Sequence, residues 1–132
     1  MIELRPLPGF SITTKESIRN FIAGYPGAVE DLGPSSDPAL HVYGIRIGDT
    51  DSKPCMFIQG GIHGQHEWTS CYWVRRFASY LVDPANSPQP DAFYFLRDRL
   101  SFYIVPCLNV WGYENGPNVP YSKDEPQTRN NA

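Results

Sequence analysis

Residues 60–68 have the sequence GGIHGQHEW, and they follow the apolar stretch Met56-Phe57-Ile58. Within residues 63–67 the chain carries two imidazoles and one carboxylate. Histidine and carboxylate side chains are ordinary ligands of zinc, and catalytic zinc sites leave one coordination position for water. A strand that ends in glycines and then presents such donors at a turn is therefore a candidate metal site.

Composition limits what the rest of the chain can be. At 132 residues, the chain suits a single domain over residues 1–132 that buries a core without crosslinks. The net charge of −3 and the lack of a basic stripe argue against nucleic acid as a partner. The apolar runs are too short to cross a membrane. Because the first residues lack the pattern of a secretory signal, we expect a cytoplasmic protein.

The three cysteines are Cys55, Cys71 and Cys107, an odd number without a CxxC spacing. This usage favours free thiols in a reducing compartment over a disulfide framework. Cys55 and Cys107 lie in strand-like segments, so we expect both to be buried as small apolar side chains.

The amino-terminal half alternates between helical and extended patterns. Apolar spacing predicts a helix over residues 13–22. Residues 27–38 are rich in turn-forming residues, and residues 33–38 within them indicate a surface loop. Residues 40–47 and 54–62 predict two strands, the second of them apolar enough to be covered on both faces. The short polar turn between these strands suggests a hairpin.

The second half begins with the strongest helical pattern. Residues 67–81 carry apolar side chains at helical spacing, with Arg75 and Arg76 expected toward solvent. A short helix over 91–99 and a strand over 100–108 follow, and the chain then becomes irregular. This order predicts an α/β fold in which a mixed sheet carries helices on its faces, a three-layer α/β/α architecture.

Three sequence blocks carry a resemblance to a known family. They are GGIHGQHEW at residues 60–68, PCLNVWGY at 106–113 and TRNNA at 128–132. In this order they resemble the M14 zinc carboxypeptidases, which have Gly-Ile-His-x-x-Glu-Trp, then Asn-Pro-Asp-Gly-Tyr after a strand, then Arg-x-Asn-Ala. The resemblance covers roughly residues 10 to 132, and it implies the amino-terminal portion of a zinc-carboxypeptidase-like fold.

By this resemblance, His63 and Glu67 are two of the three protein ligands of a zinc ion. The family separates its histidine and glutamate by two residues, whereas three residues separate them here. Alignment from the left puts His66 in the carboxylate's place, and alignment from the right keeps Glu67 and Trp68. We favour Glu67 because the residue type and the following tryptophan are both kept, and His66 remains a rival ligand or a hydrogen-bonding partner.

Each of these residues also has a purely structural interpretation. A glycine turn followed by an acidic residue is ordinary helix-end chemistry. Arg129 resembles the arginine that steadies the oxyanion in the family, yet near a chain end it is equally a solvated side chain. We expect Asn109 to cap the turn after the third strand and His41 to be a strand-face histidine.

Several functional residues of the family have no counterpart in this sequence. The family's third ligand, its general-base glutamate and the Asn-Arg pair that grips a terminal carboxylate have no counterpart, and neither Glu114 nor Glu125 suggests itself as the base. We therefore expect little turnover from these residues alone, with self-association or completion by another chain covering open sheet edges.

Three functions stay open at this point. One is zinc-dependent hydrolysis of C-terminal peptide bonds, and another is hydrolysis of acylated amino acids by a related zinc amidohydrolase. The third is a non-catalytic assembly module that keeps the scaffold.

Overall fold

The computed structural model describes residues 22–25, 28–63 and 68–115. The helix predicted over residues 13–22 lies outside these ranges except for its last position. The elements in chain order are β1 (Val29–Pro34), β2 (His41–Ile47), β3 (Cys55–Gln59), α1 (Trp68–Val82), a 3-10 turn (Pro84–Asn86), α2 (Pro90–Arg99), β4 (Ser101–Val105) and α3 (Val110–Asn115).

The four described strands form one mixed sheet in the order β1-β2-β4-β3. Strand β2 is antiparallel to β1 and to β4, whereas β3 and β4 are parallel. A parallel pair needs a long crossover, and α1 and α2 supply it between β3 and β4. The predicted α/β class with a mixed sheet is confirmed.

The predicted hairpin between the second and third strands in chain order, β2 and β3, is wrong. Strand β4 lies between them and pairs with both. The physical reason lies in burial: four of the five β4 residues are buried, while β3 is largely exposed at the edge of the described sheet. The expectation that β3 is covered on both faces is therefore also wrong for the described part of the chain.

The turn-rich segment over residues 27–38 contains a strand, which ends at Pro34 inside the predicted loop. Strand β1 pairs with β2 although its residues are mostly exposed and show no apolar alternation. The register shifts between Asp31 and Gly33, where Gly33 has φ +108° and donates its N–H to the Asp31 carboxylate at 2.9 Å. Backbone pairing with β2 makes this strand, and a bulged, polar edge is a usual way to discourage further pairing.

One face of the sheet packs against the helices. The core combines Ile45 of β2 and Ile104 of β4 with Ala78 and Leu81 of α1, all fully buried. Phe77 of α1 meets rings on both sides, Phe102 of β4 at 5.9 Å and Phe93 of α2 at 5.5 Å between centroids, so one helix ties the sheet to the other helix. None of the helices in the described ranges is long and apolar enough to cross a membrane.

The expectation that Arg75 and Arg76 face solvent is wrong. Arg75 is fully buried and Arg76 is 6% exposed. Arg76 donates to the hydroxyl oxygens of Tyr80 at 2.6 Å and Tyr72 at 2.5 Å. Its guanidinium also lies 6.0 Å from the Trp73 ring centroid. Aromatic side chains therefore surround this charged group where water would usually lie.

The three cysteines are free, as expected, but Cys55 is exposed rather than buried. It lies at the start of the edge strand β3, where the described sheet offers no cover. Cys107 is buried as predicted, together with Cys71.

This difference predicts the reactivity of the thiols. In native protein one equivalent of a thiol-reactive dye should react rapidly, at Cys55, because a reactive thiol must be accessible. Cys71 and Cys107 should react only after unfolding in denaturant. Mass spectrometry of labelled peptides identifies the sites, and Cys55→Ser is the control that should remove the fast phase. Rapid native labelling of Cys71 would contradict the buried placement.

Candidate functional site

Residues 60–63 form a turn after β3, which we call the His63 turn. Its backbone is attached to the segment that leaves β4. Gly60 donates its N–H to the Val105 carbonyl at 3.0 Å, and the Gly60 carbonyl accepts from Leu108 at 2.8 Å. The Gly61 carbonyl accepts from Asn109 at 3.0 Å. The first two of the three sequence blocks are therefore in direct contact.

Glycine is required at Gly61 for two reasons. Its φ of +64° lies in the left-handed region, which other residues rarely adopt. A Cβ at this position would also overlap the Cys71 sulfur and lie 3.1 Å from the Cys107 sulfur. On its other side, the Gly61 N–H donates to the Ser70 hydroxyl at 2.8 Å, so α1 also holds the turn.

His63 lies two residues beyond this glycine, and its side chain is exposed. This exposed imidazole on a turn at the end of an edge strand is accessible from solvent, and histidine is an ordinary ligand of zinc. The other predicted site residues, His66, Glu67 and Arg129, lie outside the described residues. Within the described ranges no group of three His, Cys, Asp or Glu side chains is placed to hold a metal ion.

The second block ends in a helix rather than in irregular chain. Asn109 precedes α3, and its side-chain oxygen accepts the N–H of Gly112 at 2.8 Å while its carbonyl accepts that of Tyr113 at 3.0 Å. This is an N-cap, so the predicted capping role of Asn109 is confirmed. Glu114, predicted in an irregular segment, lies in this short helix.

Beneath the His63 turn lies a buried cluster that contains Cys71, Cys107 and Tyr113. A hydrogen bond with the Cys71 thiol, together with burial, raises the pKa of Cys107 well above its ordinary value. Burial likewise raises the pKa of Tyr113, whereas burial lowers the pKa of the adjacent Arg75 guanidinium. At neutral pH the Cys107 thiol and the Tyr113 phenol therefore stay protonated in the metal-free chain.

His41 is a strand-face histidine, as predicted. Its Nδ1 lies 2.7 Å from an oxygen of Asp31 across the β1–β2 pair, and Nε2 lies 3.2 Å from the Pro38 carbonyl. The Gly33 N–H and His41 both lower the pKa of the Asp31 carboxyl, the backbone bond more strongly. His41 is thus engaged in local strand structure.

Comparison with known proteins identifies the family of this chain. The sequence model of the peptidase M14 family, described as zinc carboxypeptidase, matches residues 3–132. The chain belongs to the zinc carboxypeptidase family. Carboxypeptidase B of Rattus norvegicus is 35% identical over 74 residues, which are 55% of this chain and 17% of that protein.

Solved structures of the same family share the fold. A candidate carboxypeptidase A from Shewanella denitrificans OS-217 has a TM-score of 0.67 at 25% identity, over 81% of this chain and 28% of that chain. Bovine thrombin-activatable fibrinolysis inhibitor has a TM-score of 0.52 at 26% identity, over 75% of this chain and 30% of that chain. The chain therefore spans less than a third of the length of each of these relatives.

Sequence reasoning missed two residues at the site. Ser70 was unremarkable in sequence, and only the fold brings its hydroxyl to Gly61. Arg75 had a usable signal, since it lies four residues after Cys71 and three before Ala78, on the buried stripe of α1. The charge of Arg75 favours an exposed side chain, whereas its position on the helix favours a buried one.

Proposed function

We propose that the His63 turn is part of the zinc site of a metallocarboxypeptidase, a hydrolase of C-terminal peptide bonds. The observation that supports this most is the exposed His63 on a turn held by backbone bonds to the β4 exit. The match to the zinc carboxypeptidase family over residues 3–132 favours a peptidase over a deacylase of acylated amino acids and over a non-catalytic module.

In this proposal His63 contributes one ligand, and Glu67 contributes the second, as the sequence resemblance implies. Zinc bound there would polarise a scissile carbonyl and lower the pKa of a bound water. The donor chemistry of the described part of the turn fits such an ion, because His63 is exposed and histidine is an ordinary zinc ligand.

The remaining chemistry is proposed for a residue outside the described ranges. Arg129 is proposed to stabilise the oxyanion, since a guanidinium keeps its charge and donates several hydrogen bonds. A peptide with a free C-terminus is the proposed substrate. We expect these 132 residues alone to bind zinc with little turnover, and self-association or a second chain to cover the β3 edge.

Zinc titration of the metal-free chain tests the proposal. We expect one zinc ion per chain, and His63→Ala should weaken binding at least about 100-fold, because loss of a direct ligand exceeds the 10- to 100-fold cost of losing an outer partner. Isothermal titration calorimetry measures the dissociation constant. The matched control is His41→Ala, which removes an imidazole engaged with Asp31 and should leave zinc affinity unchanged.

The same titration decides between the rival second ligands. Glu67→Gln should weaken zinc as strongly as His63→Ala if the carboxylate binds the ion, whereas His66→Ala should have the smaller effect. The reverse order would assign the ligand to His66. Equal zinc binding by the wild-type chain and His63→Ala would exclude this turn as the metal site.

A further inference from the structure

We propose that Cys71 and Cys107 form a disulfide when this chain folds in the presence of a small-molecule disulfide such as oxidised glutathione. The structure describes both as free thiols, which is the reduced form of the pair. Cys71 lies in α1 and Cys107 follows β4, so the bond would join the helix to the segment that leaves the sheet. The inference is independent of the proposed zinc site, because it uses no metal ligand.

The two sulfurs are buried together. Cys71 is fully buried, Cys107 is 2% exposed, and their thiols share a hydrogen bond. A Cβ on Gly61 would overlap the Cys71 sulfur and lie 3.1 Å from that of Cys107, so both sulfurs lie against the same face of a residue that has no side chain to separate them. A disulfide needs its sulfurs about 2 Å apart. From hydrogen-bond contact, rotation of the two side chains is enough to close that gap.

The third cysteine is too far away to compete. Cys55 pairs with Ser101 at the start of β4, whereas Cys107 lies beyond the end of that strand at Val105. At about 3.3 Å per residue, the length of β4 separates Cys55 from Cys107 by at least about 13 Å. Cysteines whose Cα atoms are more than about 7 Å apart cannot be bridged without movement of the backbone. The fold therefore selects one of the three possible pairings.

Hydrogen bonds to one glycine hold the two cysteine-bearing segments together. Ser70 precedes Cys71, and its hydroxyl accepts the N–H of Gly61 at 2.8 Å. Asn109, two residues after Cys107, donates its N–H to the Gly61 carbonyl at 3.0 Å. The fold thus places the two thiols side by side, whereas the unfolded chain must bring together residues that are 36 positions apart. The effective concentration of one thiol at the other is therefore higher in the folded chain.

The bond forms by two exchange steps while the chain is still open. One protein thiol loses its proton to water and attacks a sulfur of the small disulfide, which gives a mixed disulfide and releases one small thiolate. The second protein thiolate attacks the protein sulfur of this mixed disulfide and releases the other small thiolate. Two protein thiols lose two electrons, and one small disulfide gains them and becomes two thiols. Folding then buries the bond, since neither sulfur is accessible in the native chain.

The test uses Cys55→Ser, which removes the exposed thiol and keeps the buried pair. The denatured variant is refolded in glutathione buffers of graded redox ratio, quenched with acid and mapped by mass spectrometry. We expect a monomer that has lost two hydrogens, with the Cys71 and Cys107 peptides joined. The same titration in urea gives the reference. The effective concentration should be at least about 30-fold higher in the folded chain, the factor for a disulfide of ordinary stabilising effect.

Stability measures the same quantity independently. Because folding and disulfide formation are linked, the bond should lower the unfolding equilibrium constant by the same factor, as measured by urea denaturation of the oxidised and reduced Cys55→Ser variant. The matched control adds Cys71→Ser, which leaves one buried thiol and should show no dependence of stability on the oxidant. Cys71→Ala, which buries no hydroxyl, replaces it if the serine variant does not fold.

Three results would overturn the proposal. The first is an effective concentration in the folded chain no higher than in urea, since the native geometry would then not favour the bond. The second is a folded product that carries glutathione on Cys71 or Cys107, or a disulfide-linked dimer, in place of the internal bond. The third is an equal stability gain in the single-thiol control. None of these readouts involves zinc, so failure of the proposed metal site leaves the test unchanged.

Discussion

Gly61→Ala should lower the free energy of unfolding by about 3 kcal/mol, adding a left-handed backbone penalty of about 1 kcal/mol to an overpacking cost of about 2 kcal/mol. The backbone penalty arises because φ is +64° at this residue. The overpacking arises because the new methyl group would overlap the buried Cys71 sulfur and crowd that of Cys107 at 3.1 Å. Neither thiol has room to retreat, since both are buried. Urea denaturation followed by circular dichroism measures the change.

Gly33→Ala is the matched control for this prediction. Gly33 also has a positive φ, +108°, but a Cβ there meets no atom within 4 Å. Its substitution should therefore cost only the backbone penalty, about 1 kcal/mol. Equal losses in the two variants would show that the thiols yield without cost. In that case the buried cluster would not be the rigid support of the His63 turn that its packing indicates.

Gly61→Ala should also weaken zinc binding while the rest of the protein stays folded. Because the overlap pushes Gly61 away from α1, the bond to the Ser70 hydroxyl should weaken together with zinc affinity. The expected result is a folded protein at low temperature that binds zinc at least about 10-fold more weakly than the wild type. Gly33→Ala, in the β1 edge strand, should bind zinc normally.

The sequence predicted the single elements of this fold better than their arrangement. Strand β2 and helix α1 were predictable because side-chain periodicity follows directly from strand and helix geometry. Periodicity does not say which strands are neighbours. The hairpin expected between β2 and β3 does not form, because β4 pairs with β2 instead. Strand β4 is more deeply buried than β3, although both segments are apolar in sequence. Strand β1 was not predicted, because its side chains are mostly exposed and show no apolar alternation, and its pairing depends on backbone groups.

For the candidate site, the sequence indicated the turn before His63 but not the contacts that hold this turn in place. The glycines before His63 indicated a turn, and the structure describes one. The contact of Gly61 with two thiols and with Ser70 depends on residues 9 to 46 positions away, which no local pattern encodes. Glu67 and Arg129 stay predictions, since both lie outside the described residues.

The helix arginines show the limit of reasoning from residue type. Charge alone predicts that Arg75 and Arg76 face water, because arginine is rarely buried without partners. The position of Arg75 in the helix predicts burial instead, because it lies on the same buried stripe as Cys71 and Ala78. For Arg76 the deciding factor is a set of aromatic neighbours at helical spacing, Tyr72 and Tyr80, whose hydroxyls accept its hydrogen bonds.

Arg75→Ala should be the most destabilising substitution in α1, lowering the free energy of unfolding by about 3–5 kcal/mol. The Arg75 side chain is the largest of those that are fully buried in the described part of the chain. Its truncation leaves a cavity between α1 and the cluster under the His63 turn, and it removes the charge that acts on Tyr113 and both thiols. Arg99→Ala, an exposed arginine over the Phe95 ring, should cost less than about 1 kcal/mol.

Arg75→Met separates the two causes of this loss. Methionine has a similar length and fills irregular space, so it should restore the packing without the charge. Because burial already disfavours the guanidinium and its Tyr113 and Cys107 neighbours stay protonated, we expect the methionine variant to recover most of the stability, to within about 1.5 kcal/mol of the wild type. Urea denaturation of the three variants measures these differences. A methionine variant as unstable as the alanine variant would show that the hydrogen bonds and charge of Arg75, rather than its volume, hold the support of the His63 turn together.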